Sequence, residues 1–286
     1  MKKRISLILI LSCLLITTSS KAKQLTSLVD TITVYSSAMN STIRNVVILP
    51  NDYYNTQEHF PTVYLLHGYS GSFSTWIKNT KPSLQEEASK LNLIIICPEG
   101  KNSWYWDSPI NENSKFETYI SKELINHIDA NYRTVANKKG RAITGFSMGG
   151  HGGLWLGINH PDVFGACGSM SGGVDIRPFP NNWETKDLLG EYDKNAELWN
   201  KYTVINQIHK IKPNSLAIII DCGIDDFFYE VNERLHKQLI YSNIPHDYIV
   251  RPGGHTHDYW HNAIDYQLLF FKKYFSKKLV LLRNGT

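Results

Sequence analysis

Ser147, His255 and a carboxylate from among Asp221, Asp225 and Asp226 are spaced so that only a folded chain could bring them together, and together they could perform acyl transfer. Ser147 stands in Gly145-Phe146-Ser147-Met148-Gly149, a G-x-S-x-G motif, followed by Gly150. A buried-looking strand, Arg141–Gly145, precedes it and a Gly-rich apolar stretch follows. That is the setting of a nucleophile elbow, where small neighbours relieve a strained strand-to-helix turn. A serine hydroxyl needs a base to take its proton and a carboxylate to orient that base. "IIIDCGIDDFFY" supplies Asp221 within a late strand and Asp225 and Asp226 in the turn beyond it. One of the latter two is expected to cap the next helix. "YIVRPGGHTHDYWHN" ends a strand in a Gly-Gly turn and presents His255 just before a helix. His257 and His261 follow at i, i+4 spacing, which would also suit two metal ligands. A hydrolytic zinc site usually takes three protein ligands plus a base. The chain holds no second paired cluster such as H-E-x-x-H, and a metal site leaves the serine elbow unexplained. The reading is therefore one base, His255, with no metal and no cofactor; His257 lines the pocket and His261 lies on a helix face.

The developing oxyanion requires N–H donors. Met148, just after the nucleophile, is one candidate. The other is Tyr69, after "LLHG" at the end of a strand. Trp76, Trp104 and Trp106 read either as an aromatic wall for a sugar or aromatic acyl group or as plain core.

The elements that must hold these residues follow from hydrophobic patterning. Leu28–Ser36 and Thr42–Pro50 read as a hairpin. Short apolar runs at Thr62–His67, Leu91–Pro98, Arg141–Gly145, Val163–Gly172, Ser215–Gly223 and His246–Val250 fit strands buried on both faces. Amphipathic or Gly-rich helical segments separate them. This predicts an α/β fold: a mostly parallel central sheet with an N-terminal antiparallel hairpin, helices on both faces, and a small cap insertion at 174–212, where Pro178, Pro180, Trp183 and Trp199 break the rhythm.

The motifs resemble, in order, those of the putative esterase family of α/β-hydrolases. That family includes tributyrin esterases, S-formylglutathione hydrolases and feruloyl and acetyl-xylan esterases, with mycolyltransferases more distant. "LLHGYSGSFSTW", "NSWYWDSP", "GFSMGG", "CGIDDFFY" and "GGHTHDYW" are each similar to a family motif. The resemblance covers about Leu28 to Phe275. It implies that the acid is Asp226, with Asp225 in reserve, and that His255 is the base. His257 stands where the family often has Trp, which bears on substrate preference.

The first 22 residues read as a signal peptide: a basic head (Lys2, Lys3, Arg4), an apolar run Ile5–Ile16, then Ser20 and Ala22 at small-x-small spacing. Cleavage is expected after Ala22, leaving 23–286 as one esterase domain; lipidation at Cys13 is the rival reading. Losing the leader removes four cations and no carboxylate, which brings the formal +4 to neutrality and leaves no electrostatic case for nucleic acid. No transmembrane anchor is expected in the remainder. Cys97, Cys167 and Cys222 sit in apolar runs and read as core thiols, with a Cys97–Cys222 or Cys167–Cys222 bridge as the alternative. The expected function is a secreted or periplasmic serine ester hydrolase acting on small-molecule or polysaccharide esters, such as acetyl or feruloyl groups of plant polysaccharide. A general short-chain carboxylesterase, a secreted acyltransferase and a non-catalytic carbohydrate-binding protein are the alternatives.

Overall fold

A computed structural model describes residues 27–283; the leader, its cleavage point and Cys13 lie outside the described residues. The chain opens with β1 (Val29–Ser36) and β2 (Ser41–Ile48), then β3 (Thr62–Leu66), α1 (Leu84–Leu91), β4 (Ile94–Pro98), α2 (Phe116–Thr118), α3 (Ile125–Asn131) and β5 (Arg141–Gly145). It continues through α4 (Met148–Asn159), β6 (Ala166–Met170), α5 (Lys186–Leu189), α6 (Tyr192–Lys201), β7 (Ala217–Gly223), α7 (Tyr229–Tyr241), β8 (Asp247–Arg251) and α8 (His257–Arg283). The sheet order is β1-β2-β4-β3-β5-β6-β7-β8. β1 and β2 pair antiparallel, β2 joins β4 antiparallel, and every later pairing is parallel. The mostly parallel sheet with a leading hairpin expected from the patterning is the one observed, and it is the α/β-hydrolase architecture that the resemblance implies.

Period-two alternation splits each central strand between two cores. Tyr64, Leu66, Ile94, Ile96, Ile143 and Ile220 face one side, with α4 and α7 residues such as Leu154 and Leu235 packed over them. Val63, Leu65, Ile95, Ala142 and Ile219 face the other, covered by Leu84 and Ala88 of α1 and by Ile264, Leu268 and Phe271 of α8. Cys97, Cys167 and Cys222 are unpaired and buried, and burial pushes their thiols up.

Two segments depart from the expected pattern. Phe116–Asn131 is not one regular helix: between α2 and α3 the winding loosens to a π-helix over Tyr119–Leu124. Segment 174–212 does more than cover strand ends. Val174, Ile176, Leu188, Leu189 and Trp199 enter the main core, and Leu188 O accepts from Ser108 Oγ at 2.7 Å.

Candidate active site

β5 ends at Gly145, and two residues later Ser147 takes φ 56°, ψ −118°, a conformation that side-chain-bearing residues rarely adopt. The turn closes because its flanks are glycines. A Cβ at Gly145 or at Gly149 would lie 2.5 Å from Leu66 O, so any side chain would force α4 off β3. Ser147 N–H donates to Met170 O (2.9 Å) and Ser147 O accepts from His151 N–H (3.0 Å), which fixes the turn from both sides.

Three loops at the carboxyl ends of the parallel strands converge here. His255 Nε2 lies 2.9 Å from Ser147 Oγ, and its Nδ1 lies 2.8 and 3.0 Å from the two oxygens of Asp226. The Asp226 carboxylate is fully covered, whereas the His255 side chain keeps 17 % of its surface. Asp226 Oδ1 also accepts from Phe228 N–H (2.8 Å) at the start of α7. Asp225 points elsewhere. It is joined twice to Gly253: its N–H donates to Gly253 O (3.0 Å), and its Oδ2 accepts from Gly253 N–H (3.2 Å). It therefore ties the β7–α7 loop to the loop that carries His255. Gly253 has φ 128°, a region open to glycine and closed to most other residues.

The loop after β3 abuts the serine, since a Cβ at Gly68 would meet Ser147 Cβ at 3.3 Å. The backbone N–H groups of Tyr69 and Met148 have no acceptor among the described residues. Buried His67 braces this loop, with Nδ1 2.8 Å from Gly68 O and Nε2 2.9 Å from Gly100 N. Beside it, burial would raise the Glu99 carboxyl; the adjacent His67 imidazole, its Nε2 3.2 Å from Glu99 Oε1, and hydrogen bonds from the Lys101 and Phe73 N–H groups overcome that and hold it at about 2. His151 lies beneath the elbow among Trp104, Trp106 and Trp155. Burial lowers it to about 3, against a partly offsetting contact with Gly173 O.

The histidine cluster does not converge. His257 Nδ1 bonds Thr80 Oγ1 (2.8 Å) and His261 Nδ1 bonds Thr80 O (2.9 Å), so both clamp the start of α8 to the segment after β3. Desolvation lowers His257.

Of the two readings of Trp76, Trp104 and Trp106, burial supports the core one. Trp76 is fully buried, donates its indole N–H to Leu66 O (2.9 Å) and packs on Phe146. Trp104 and Trp106 are equally buried and stack on each other at 5.8 Å. The rings beside His255 are others. Phe227, half exposed, lies 4.2 Å from the imidazole, and Trp183 from the 174–212 segment stacks on Phe227 at 5.9 Å. The paired Phe227-Phe228 directly after the acid was a visible signal for one half of this feature. Nothing local in the sequence marked Trp183. The Asp221 carboxylate, raised by burial, receives Arg251 (2.6 Å) and the Tyr259 hydroxyl (2.5 Å), an internal brace between β7, β8 and α8.

Residues 36–271 match the family described as "Putative esterase". The chain belongs to this family. Among its relatives, an esterase of Mycobacterium tuberculosis strain H37Rv is 27 % identical over 236 residues, covering 73 % of this chain and 52 % of the relative. The chain thus spans about half the length of that relative and of its counterpart in a second strain. An acetyl esterase of Caldicellulosiruptor saccharolyticus is 25 % identical over 252 residues, covering 82 % of this esterase-family chain and 94 % of the relative. Among solved structures, a ferulic acid esterase superposes with TM-score 0.75 at 27 % identity, covering 86 % of this chain and 98 % of that one. An S-formylglutathione hydrolase of Staphylococcus aureus shares the fold with TM-score 0.74 at 21 % identity, covering 85 % and 98 %.

Proposed function

We propose that this esterase-family chain is a serine carboxylic-ester hydrolase, exported by its leader to the periplasm or the exterior, that removes acyl groups from carbohydrate esters. The observation that carries the catalytic reading is the continuous hydrogen-bonded series from Ser147 Oγ through His255 to Asp226 on a strained elbow. His255 Nε2 takes the hydroxyl proton as Ser147 Oγ attacks the ester carbonyl. The N–H groups of Tyr69 and Met148 receive the oxyanion. Asp226 holds Nδ1–H and stabilises the imidazolium. His255 then returns the proton to the leaving alcohol, and water, deprotonated by the same imidazole, releases the acid from the acyl-enzyme.

The carbohydrate-ester reading is supported by the names of two relatives, an acetyl esterase and a ferulic acid esterase, and by the export leader read in the sequence. Trp183 and Phe227, rather than Trp76, Trp104 and Trp106, are the rings positioned to meet an acyl or sugar group, with His257 at the margin. A general short-chain carboxylesterase is the second reading; the exposed half of Phe227 gives an apolar contact that an alkyl acyl chain would use equally well. A release assay separates the two. Purified protein given acetylated xylan, feruloylated arabinoxylan and tributyrin in parallel is expected to release acetate or ferulate faster than butyrate. Preferential butyrate release would replace the carbohydrate reading with the second one.

A further inference from the structure

We infer that a cleft at the opposite end of the sheet binds a free long-chain carboxylate, at a site separate from the catalytic one. The cleft has a volume of about 750 Å³, within the range of small-molecule sites. It lies where β5 to β8 begin, whereas Ser147, Asp226 and His255 follow the ends of their strands. α8 connects the two regions: His257 opens the helix near the catalytic residues and Lys273 reaches the cleft, roughly 24 Å further on at the helical rise per residue.

The lining divides by chemistry. Ile211, Leu216, Ile244, Phe270 and Tyr274 offer apolar surface. Lys139, Lys212, Lys273 and Lys277 stand around it, and none forms an ion pair among the described residues. Asp247 is the sole carboxylate in the lining. Like charges gathered without partners repel one another, and an anion relieves that repulsion. The apolar part is mainly aliphatic, which suits an alkyl chain; a sugar would call for broad aromatic faces and paired donors and acceptors. Apolar surface beside a rim with these four lysines to one carboxylate therefore selects a ligand with one anionic head and one hydrocarbon tail.

Titration calorimetry with laurate below its micellar concentration tests this. Laurate is expected to bind saturably, with acetate and neutral dodecyl maltoside at least about tenfold weaker. The double variant Lys212→Glu/Lys273→Glu, at exposed positions, is expected to lose about tenfold or more in laurate affinity through charge reversal, with unchanged melting temperature and unchanged p-nitrophenyl acetate hydrolysis. Because that hydrolysis is read separately, failure here is distinct from failure of the catalytic reading. Equal laurate affinity in the double variant, equal binding of the maltoside, no binding, or binding solely to laurate presented in phosphatidylglycerol vesicles would each overturn the assignment, the last in favour of a membrane surface.

Discussion

Adjacent carboxylates at 225 and 226 have different tasks because their side chains leave the backbone in different directions. Asp226 is buried against Nδ1 of His255, while Asp225 is spent on Gly253 N–H. Asp226→Asn should lower kcat on p-nitrophenyl acetate by about 10³- to 10⁴-fold, since the imidazole loses its orienting charge. Asp225→Ala should keep kcat within about tenfold and show its effect in stability, as expected for loss of one exposed hydrogen bond of about 1 kcal/mol. Steady-state kinetics and thermal melts of both variants check this, and reversed effects would exchange the two roles. At Trp183 the prediction is selective. Removing a ring that stacks with a worth of about 1 kcal/mol should cut kcat/KM for a feruloyl ester by about five- to tenfold in Trp183→Ala. An acetyl ester should be nearly unaffected; parallel loss on both substrates would contradict an acyl-contact role for this ring.

The elbow works as a unit of strand, turn and helix. Gly149→Ala would place a methyl 2.5 Å from Leu66 O, against backbone that cannot swing aside. Such overpacking costs about 1–3 kcal/mol, and a fall in melting temperature together with lost activity is expected, because Ser147 moves with α4. An unchanged melt would mean that α4 and β3 pack less closely than described. This was the most legible part of the molecule. A continuous apolar run, a G-x-S-x-G and a glycine-rich helix are all local signals, and β5 begins and ends where the pattern placed it. The hairpin and the parallel strands were readable for the same reason. Aromatic roles were not, because a Trp beside a motif carries no mark of which way its ring points. Trp104 and Trp106 turn inward under the segment that follows β6, and the ring near His255 comes from Trp183, 72 residues before it in sequence. The pair His257 and His261 had good metal spacing, yet Thr80 from a distant segment takes both Nδ1 atoms.

Over the whole molecule, acid should act in two stages set by groups on either side of the serine. His151 is lowered to about 3 from an ordinary 6.5, so its unfolded form gains a proton first; its contribution is intact above pH 6.5 and is lost as pH falls toward 3. Glu99 is lowered to about 2 from 4.5, so its contribution is intact above pH 4.5 and is lost as pH falls through 2. Melting temperature should therefore decline from pH 6.5 downward, and Glu99→Gln should flatten the part between pH 4.5 and 2 while lowering the melt at neutral pH. An unaltered acid limb in that variant would remove Glu99 from the account. The central claim, that Ser147 is the nucleophile delivered by the elbow to His255, is tested most directly by the rate of p-nitrophenyl acetate hydrolysis in Ser147→Ala. A fall of at least about 10³-fold with an unchanged melting temperature is expected; hydrolysis at the unsubstituted rate would mean that another residue is the nucleophile.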